Sequence, residues 1–408
     1  MILRLASLVL AFAASQAVAR AQVAPVVPLG AAIQSQMNAA GGAPAPGAML
    51  APGAAPQPQA GAKDKPKRKP LALDARVIPL GGALKTPEAW QAYKARFVTE
   101  NGRVIDTGNG MISHSEGQGY AMLLAVAAND RATFDRLWGW TRANLMVRDD
   151  QLVAWRWEPT RRPAVADINN ASDGDLLIAW ALAEAGEFWG EVALRAGGRR
   201  IAVEVGRKLV VARTKLGALL LPAVAGFSGE ERADGPVVNP SYWVFPAFAR
   251  LTLVAPEVDW NGVVQSGLDV LRAARFGASA LPAEWVSLKD GVAKPADGFP
   301  AQFGYNAVRI PLYLAWAGVG ERDHYDPFVA WARTGRPSVV ELASGAQAGA
   351  LGEGGYASVG ALALCAAEGV AMPADTAFAR APEHYYPATL RLLAVVAAQM
   401  RYPTCLRG

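Results

Sequence analysis

From about residue 71 onward, apolar positions recur at helical length and spacing. The pattern predicts helices over 86–99, 115–130, 131–145, 172–187, 188–211, 240–254, 259–275, 305–318, 321–334, 355–368, 374–381 and 385–401. The first opens on Thr86-Pro87, with Thr as N-cap and Pro in the first turn. The eleventh is short and weakly patterned. Alternate members (117–128, 176–186, 307–317 and 357–367) are rich in Ala, Leu and Gly and read as buried all round. Their partners, such as 131–145 and 188–211, carry more charge. Strand signals are few. Twelve helices alternating between buried and half-exposed predict an all-α fold, an (α/α)6 barrel of six inner helices ringed by six outer ones. Loops at one end of the inner ring would then carry the site.

The stretch before residue 71 has a different composition. Residues 1–21 combine a basic start (Arg4), an apolar run and small residues at Ala17-Val18-Ala19 and Ala19-Arg20-Ala21, the layout of a cleaved signal peptide. The run is short for a spanning helix, which disfavours an N-terminal anchor, and no later segment supplies ~20 uninterrupted apolar residues. The expected location is therefore periplasmic or secreted. Residues 22–70 read as a flexible linker rich in Ala, Pro and Gly, ending in the basic run KDKPKRK (63–69). The domain is 71–408. The whole chain has a formal charge of +5, but two tail arginines and the net +4 of the basic run leave −1 for the domain. That argues against a nucleic-acid partner, which needs a basic face on the folded part. Two cysteines exclude a disulfide-built scaffold or a Cys-rich zinc module. Export would let Cys365 and Cys405 pair; a buried free thiol is the other reading of Cys365.

The candidate chemistry lies where the inner helices begin. The first start is Ser113-His114-Ser115-Glu116-Gly117-Gln118-Gly119-Tyr120. Its spacing fits a capping box from Ser113 to Glu116, or a carboxylic acid at the barrel mouth. Gly117 and Gly119 weaken that turn and suggest a close approach by something large. In the second, Asn169 to Asp175, two acids at i and i+2 point ~200° apart, so they cannot face one ligand. Ser172 and Asp175 have capping-box spacing, leaving Asp173 free for the mouth. A Mg²⁺ site has only this D-x-D to rest on, so no metal and no cofactor is expected. The remaining starts are Asn239-Pro240-Ser241-Tyr242-Trp243, Phe303 to Arg309, and His384-Tyr385-Tyr386. Acids together with flat aromatic rings suit a carbohydrate, although each aromatic taken singly is more often wall than platform.

Several of these segments resemble glycoside hydrolase family 8. Gly102-Arg103-Val104-Ile105-Asp106 followed by Ser115-Glu116-Gly117-Gln118-Gly119-Tyr120 is similar to the family's opening motif, which implies Glu116 as general acid. ASDGDLLIAWALAEAGEFW (171–189) resembles its pattern motif, which implies a catalytic role for Asp173. NPSY (239–242), YNAVR (305–309) and Tyr385-Tyr386 resemble later inner-helix starts. The resemblance runs from about residue 88 to 400 and implies an (α/α)6 barrel. It is similar to the periplasmic cellulases of bacterial cellulose production, which implies a β-1,4-glucan substrate and the cellulose-synthesis machinery as a neighbour. One departure matters: most members have Asp, the base of an inverting reaction, where this chain has Asn306. Chitosanase-type members of the family take their base from a different loop.

Hydrolysis with inversion needs an acid and a carboxylate base ~6.5–9.5 Å apart. Glu116 is the expected acid. Asp173 is the leading carboxylate for the second role, either as base or as a holder of a sugar hydroxyl. Glu284, Asp290 and Asp297 on the loop before Asn306 are rivals, and each also reads as a solvated loop charge. Tyr305, Asn306, Arg309, Tyr242 and Tyr386 are expected to bind substrate. Trp155, Trp157 and Trp243 are candidate stacking platforms, with one of the first pair favoured. The expected activity is that of an endo-β-1,4-glucanase. The alternatives are a chitosanase or xylanase, or a glycan-binding protein that lost its base at Asn306.

Overall fold

A computed structural model describes residues 72–379 and 381–406. The predicted signal peptide, linker and basic run lie outside the described residues. Eleven α-helices are present among them: α1 (Pro87–Phe97), α2 (Ser115–Ala127), α3 (Arg131–Asn144), α4 (Ser172–Phe188), α5 (Val192–Leu209), α6 (Phe245–Val254), α7 (Trp260–Ala273), α8 (Arg309–Ala317), α9 (Arg322–Arg333), α10 (Gly354–Glu368) and α11 (Tyr385–Arg401). Helices α2, α4, α6, α8, α10 and α11 form the inner ring of an (α/α)6 barrel, each packed on the next, and α11 returns to α2. Helices α2 and α8 are buried along their whole length. The outer helix α3 buries only Thr133, Phe134, Leu137, Trp140 and Thr141, the single stripe expected of an amphipathic helix. Helix α10 is also half-exposed, contrary to expectation, with Ala357 open and Ala361 and Leu364 partly so.

Among the described residues the sixth outer helix does not form. Residues 374–377 make turns, held by short-range bonds such as Thr376 N–H to Pro373 O and Phe378 N–H to Asp375 O. An eight-residue stretch between Pro373 and Pro382 is too short to sustain a helix without a packing face. Two other predicted helices start late. Residues 240–242 form a 3-10 turn before α6, and 305–308 are turns before α8. Pro246 and Pro311 stand in the first turns of α6 and α8, where a missing N–H is tolerated. Helix α5 gives way at Val210 to the hairpin β3–β4 (Val210–Thr214, Gly217–Leu220).

The first-turn glycines serve helix packing. A Cβ on Gly119 would stand 2.6 Å from the Leu177 side chain of α4, and one on Gly174 would stand 2.1 Å from Ser115 Oγ. The neighbouring helices are thus what approaches closely. Short strand pairs brace the end of the barrel where the inner helices begin. Strand β1 (Ser113–His114) pairs with β2 (Arg156–Trp157). Strand β5 (Val237–Val238) pairs with β6 (Val286–Ser287), and β6 with β7 (Lys294–Pro295). A third sheet joins β8 (Gln302–Phe303), β9 (Ser338–Glu341) and β10 (Gln347–Ala350). At the opposite end a strap over 73–85 crosses the helix C-termini. Its N–H groups reach Val126 O and Ala127 O of α2 and the Glu184 side chain of α4. Arg76 donates to Gly318 O just after α8. The disulfide Cys365–Cys405 ties the C-terminal turn to α10, which resolves the two readings of Cys365.

Candidate active site

Arg309, in the first turn of α8 and fully buried, gathers the site. Its Nη1 donates to Glu116 Oε2 of α2 and to Asp173 Oδ2 of α4, the latter at 2.7 Å. Nη2 donates to Ser241 Oγ at 2.8 Å and to Asn306 Oδ1 at 3.2 Å, and Nε donates to Asn306 O at 3.3 Å. All five N–H bonds of the guanidinium are used. The Tyr242 ring lies 5.5 Å from its centre. Arg309 is therefore a buried hub; the sequence reading as a direct sugar contact does not hold, because its surface is covered.

Two buried carboxylates on one guanidinium leave an excess negative charge, relieved if one of them carries a proton. Burial pushes the Glu116 carboxyl up, against the pull of Arg309 and His114. Glu116 Oε1 is buried and has no hydrogen-bond partner. Glu116 thus has one oxygen fixed on the cation and one free to hold a proton. Asp173 has both oxygens engaged, Oδ1 by its neighbour Gly174 N–H at 2.8 Å and Oδ2 by Arg309. Because the two carboxylates share one nitrogen, their bound oxygens are at most ~6 Å apart.

The predicted capping boxes do not form. His114, not Ser113, caps α2, and its Nδ1 accepts Gly117 N–H at 3.0 Å. Asp175 is structural as expected but by other bonds, accepting Val153 N–H and Asn170 Nδ2–H while Ser172 Oγ has no partner. Asp173 and Asp175 diverge as the i, i+2 geometry requires. Thr86 occupies the N-cap position of α1 without a side-chain bond.

Glu284 is a buried member of the site and the loop-charge reading fails for it. Its Oε1 accepts Asn306 N–H at 2.6 Å and its Oε2 faces Gln302 Nε2 at 3.4 Å. Burial pushes its carboxyl up, and the bonds from Asn306 and Gln302 and the charge of Arg309 pull it back only in part. Asp290 and Asp297 are exposed, beside β7 and the Asp234 carboxylate that accepts Asp297 N–H. They touch none of the buried site residues.

The aromatic candidates divide. Trp243 is 1% exposed, donates Nε1–H to Val263 O and presses on Gly267 of α7, so it is barrel wall and offers no stacking face. Trp155 is nearly closed, with Nε1–H on Asp167 Oδ2 and Arg156 over its ring. Trp157 is more open, with Arg103 over one face and Trp140 at its edge. Tyr386 donates to Tyr305 O at 2.7 Å, and Tyr356, which the sequence reading passed over, lies edge-on between the two rings. Ser241, His114, Asp106 and the bonded pair Tyr120–Tyr313 were also missed as site components. Ser241 and His114 stood inside quoted motifs without a charge pattern to single them out. The tyrosine pair joins residues far apart in the chain, which no local signal reveals.

The site thus gathers two acids and an arginine among aromatics at the mouth of a helical barrel. Residues 80–400 match the family model of glycosyl hydrolases family 8. The chain belongs to this family. A probable endoglucanase of Novacetimonas hansenii is 34% identical over 335 residues, covering 79% of this chain and 95% of the relative. An endoglucanase of Cellulomonas uda is 42% identical over 230 residues, 56% of this chain and 63% of that protein's length. Among solved structures, the endoglucanase Cel10 of Klebsiella pneumoniae superposes with a TM-score of 0.70 at 36% identity, covering 76% of this chain and 99% of that one. The endo-β-1,4-glucanase CMCax of Acetobacter xylinum gives 0.70 at 32% identity, covering 78% and 99%.

Proposed function

We propose that this protein is an exported endo-β-1,4-glucanase that hydrolyses cellulose-type chains by general acid/base catalysis with inversion. The observation that carries the reading is the free, buried Oε1 of Glu116 beside an oxygen anchored on Arg309. That oxygen is the proton donor to the leaving glycosidic oxygen. Names and likeness of the relatives support the substrate class.

The water-activating base in this reading is Glu284. Asn306 cannot take a proton but its amide can orient a water, and Glu284 is bonded to the same residue. Its upward-shifted carboxyl is a stronger base than an ordinary one. Asp173 is tied to the same Arg309 nitrogen as Glu116. Both its oxygens are already held, by Gly174 N–H and by Arg309. Asp173 therefore anchors Arg309. The buried Cys365–Cys405 disulfide supports export to an oxidising compartment, as the N-terminal sequence does. A chitosanase is the second reading, favoured by a loop carboxylate standing in for the missing Asp. Reducing-end release from carboxymethyl-cellulose, chitosan and xylan tests both. Carboxymethyl-cellulose is expected to be cleaved fastest, and Glu116→Gln is expected to abolish turnover while glucan binding survives. Preference for chitosan would select the second reading. Inactivity on all three would leave only a binding protein.

A further inference from the structure

Histidine is an uncommon N-cap, and the one at position 114 closes the helix that carries the acid. Its Nδ1 accepts Gly117 N–H at 3.0 Å, and its Nε2 stands 3.3 Å from Asp106 Oδ2. Asp106 is itself tethered, with Oδ1 accepting Gly108 N–H at 3.1 Å. The Tyr385 ring packs edge-on to the imidazole, with centroids 5.7 Å apart. Side chain and backbone thus lock the first turn of α2, in which Glu116 sits one residue before the capped amide. A ring nitrogen that accepts an N–H must carry a lone pair, so the cap requires the neutral imidazole with its proton on Nε2, facing Asp106.

We propose that His114 is a positioning residue for Glu116: its neutral form caps α2 and holds the acid in place, and its protonation undoes the cap and sets the acid limit of the reaction. This rests on Glu116 being the general acid. The groups around His114 are Asp106 on the loop after α1, Glu116 on α2, Asp173 at the start of α4, the Tyr385 phenol of α11 and Tyr93 of α1 on the Asp106 side. Arg309 of α8 balances Glu116 and Asp173. Burial disfavours the imidazolium, yet the bond to Asp106 and the charges of Glu116, Asp106 and Asp173 raise its affinity for a proton above the usual histidine value. The Gly117 N–H opposes protonation at Nδ1. On protonation two N–H groups would face each other, and the turn must open.

The test compares wild type with His114→Asn, which can cap but cannot be protonated, and His114→Ala, which can do neither. Alanine is expected to lower kcat on carboxymethyl-cellulose about 10- to 100-fold with KM within about twofold. Asparagine is expected to keep kcat within about fivefold of wild type, and its acid limb should move to lower pH. Equal acid limbs in wild type and His114→Asn, or full activity in His114→Ala, would overturn the proposal. An arm independent of activity uses ¹⁵N NMR of the wild-type imidazole. The Nε2–H tautomer is expected on the alkaline side of the His114 titration, with the Gly117 amide shifting as His114 protonates. An Nδ1–H tautomer, or a Gly117 amide unmoved through that titration, would sink the idea even if hydrolysis of every glucan failed.

Discussion

At the residue scale the assignment turns on one nitrogen. Arg309 Nη1 holds Glu116 and Asp173 together, and Arg309 Nη2 holds the amide of Asn306, which Glu284 supports from the other side. The order Glu116, Arg309, Asn306, Glu284 forms one hydrogen-bonded row with the proposed acid and the proposed base at its two ends. Glu284→Gln is therefore expected to lower kcat ~10²–10⁴-fold, the usual worth of a general base. Asn306→Asp in that background should restore part of the loss, since it places a carboxylate where the water is held. Asp173→Asn should be severe and should not be rescued by Asn306→Asp, because its loss frees Arg309. Rates of the single and double variants, each shown to be folded, check this, and rescue of Asp173→Asn would return the base role to Asp173. The stereochemistry gives an independent reading. Proton NMR of the first product should show the α-anomer, and a β-anomer would indicate retention.

At the scale of elements, Asp130 illustrates how an outer helix is fixed to the barrel. It caps α3, accepting Thr133 N–H at 3.0 Å, and it also accepts from Trp90 and Lys94 of α1. Burial alone would raise its pKa, but the bonds from Lys94, Trp90 and Thr133 outweigh it and hold the carboxyl down at about 2. A carboxylate with a depressed folded pKa stabilises the fold above its unfolded value near 3.8, and the benefit disappears as pH falls toward 2. Asp130→Ala is expected to cost about 1–2 kcal/mol at pH 7. Urea unfolding from pH 6 to 2 should show the variant and wild type converging at the acid end. A gap that stays constant with pH would mean the loss is packing, not charge. The predicted eleventh helix teaches the opposite lesson: a short, weakly patterned stretch between two prolines makes only turns among the described residues.

At the scale of the molecule, the strap over 73–85 closes the barrel end opposite the site. It buries Leu73, Leu80 and Leu84 and donates to Val126 O and Ala127 O at the C-terminus of α2 and to Gly318 O just after α8. Arg401 of α11 in turn donates to Arg76 O at 2.9 Å. A chain lacking 22–70 is expected to melt and hydrolyse like the full mature protein, because that segment lacks the composition to form a core. A chain beginning at residue 87 is expected to lose roughly 5 kcal/mol or more, from three leucines at ~1.5–3 kcal/mol each. Thermal unfolding of the two truncations decides whether the strap or the linker matters to the fold.

The helical class, eleven of the twelve helices and the mouth at the inner-helix starts were legible in the chain alone, and the alternation of buried and half-exposed members held except at α10 and the missing sixth outer helix. These are local properties, since a 3.6-residue period and the prolines and caps at helix ends are written within one stretch of chain. The sequence also pointed to Glu116, Asp173, Asn306 and Arg309 through their motifs. Only the tertiary structure decided what they do to one another. That Arg309 is a hub and not a sugar contact, that Glu284 is buried beside Asn306, and that Trp243 is wall all depend on contacts between residues distant in the chain. His114 in place of Ser113 as the cap was settled the same way, by where Asp106 and Tyr385 come to lie. Burial and shared hydrogen bonds are set by packing, and a sequence read stretch by stretch carries no distance between its ends.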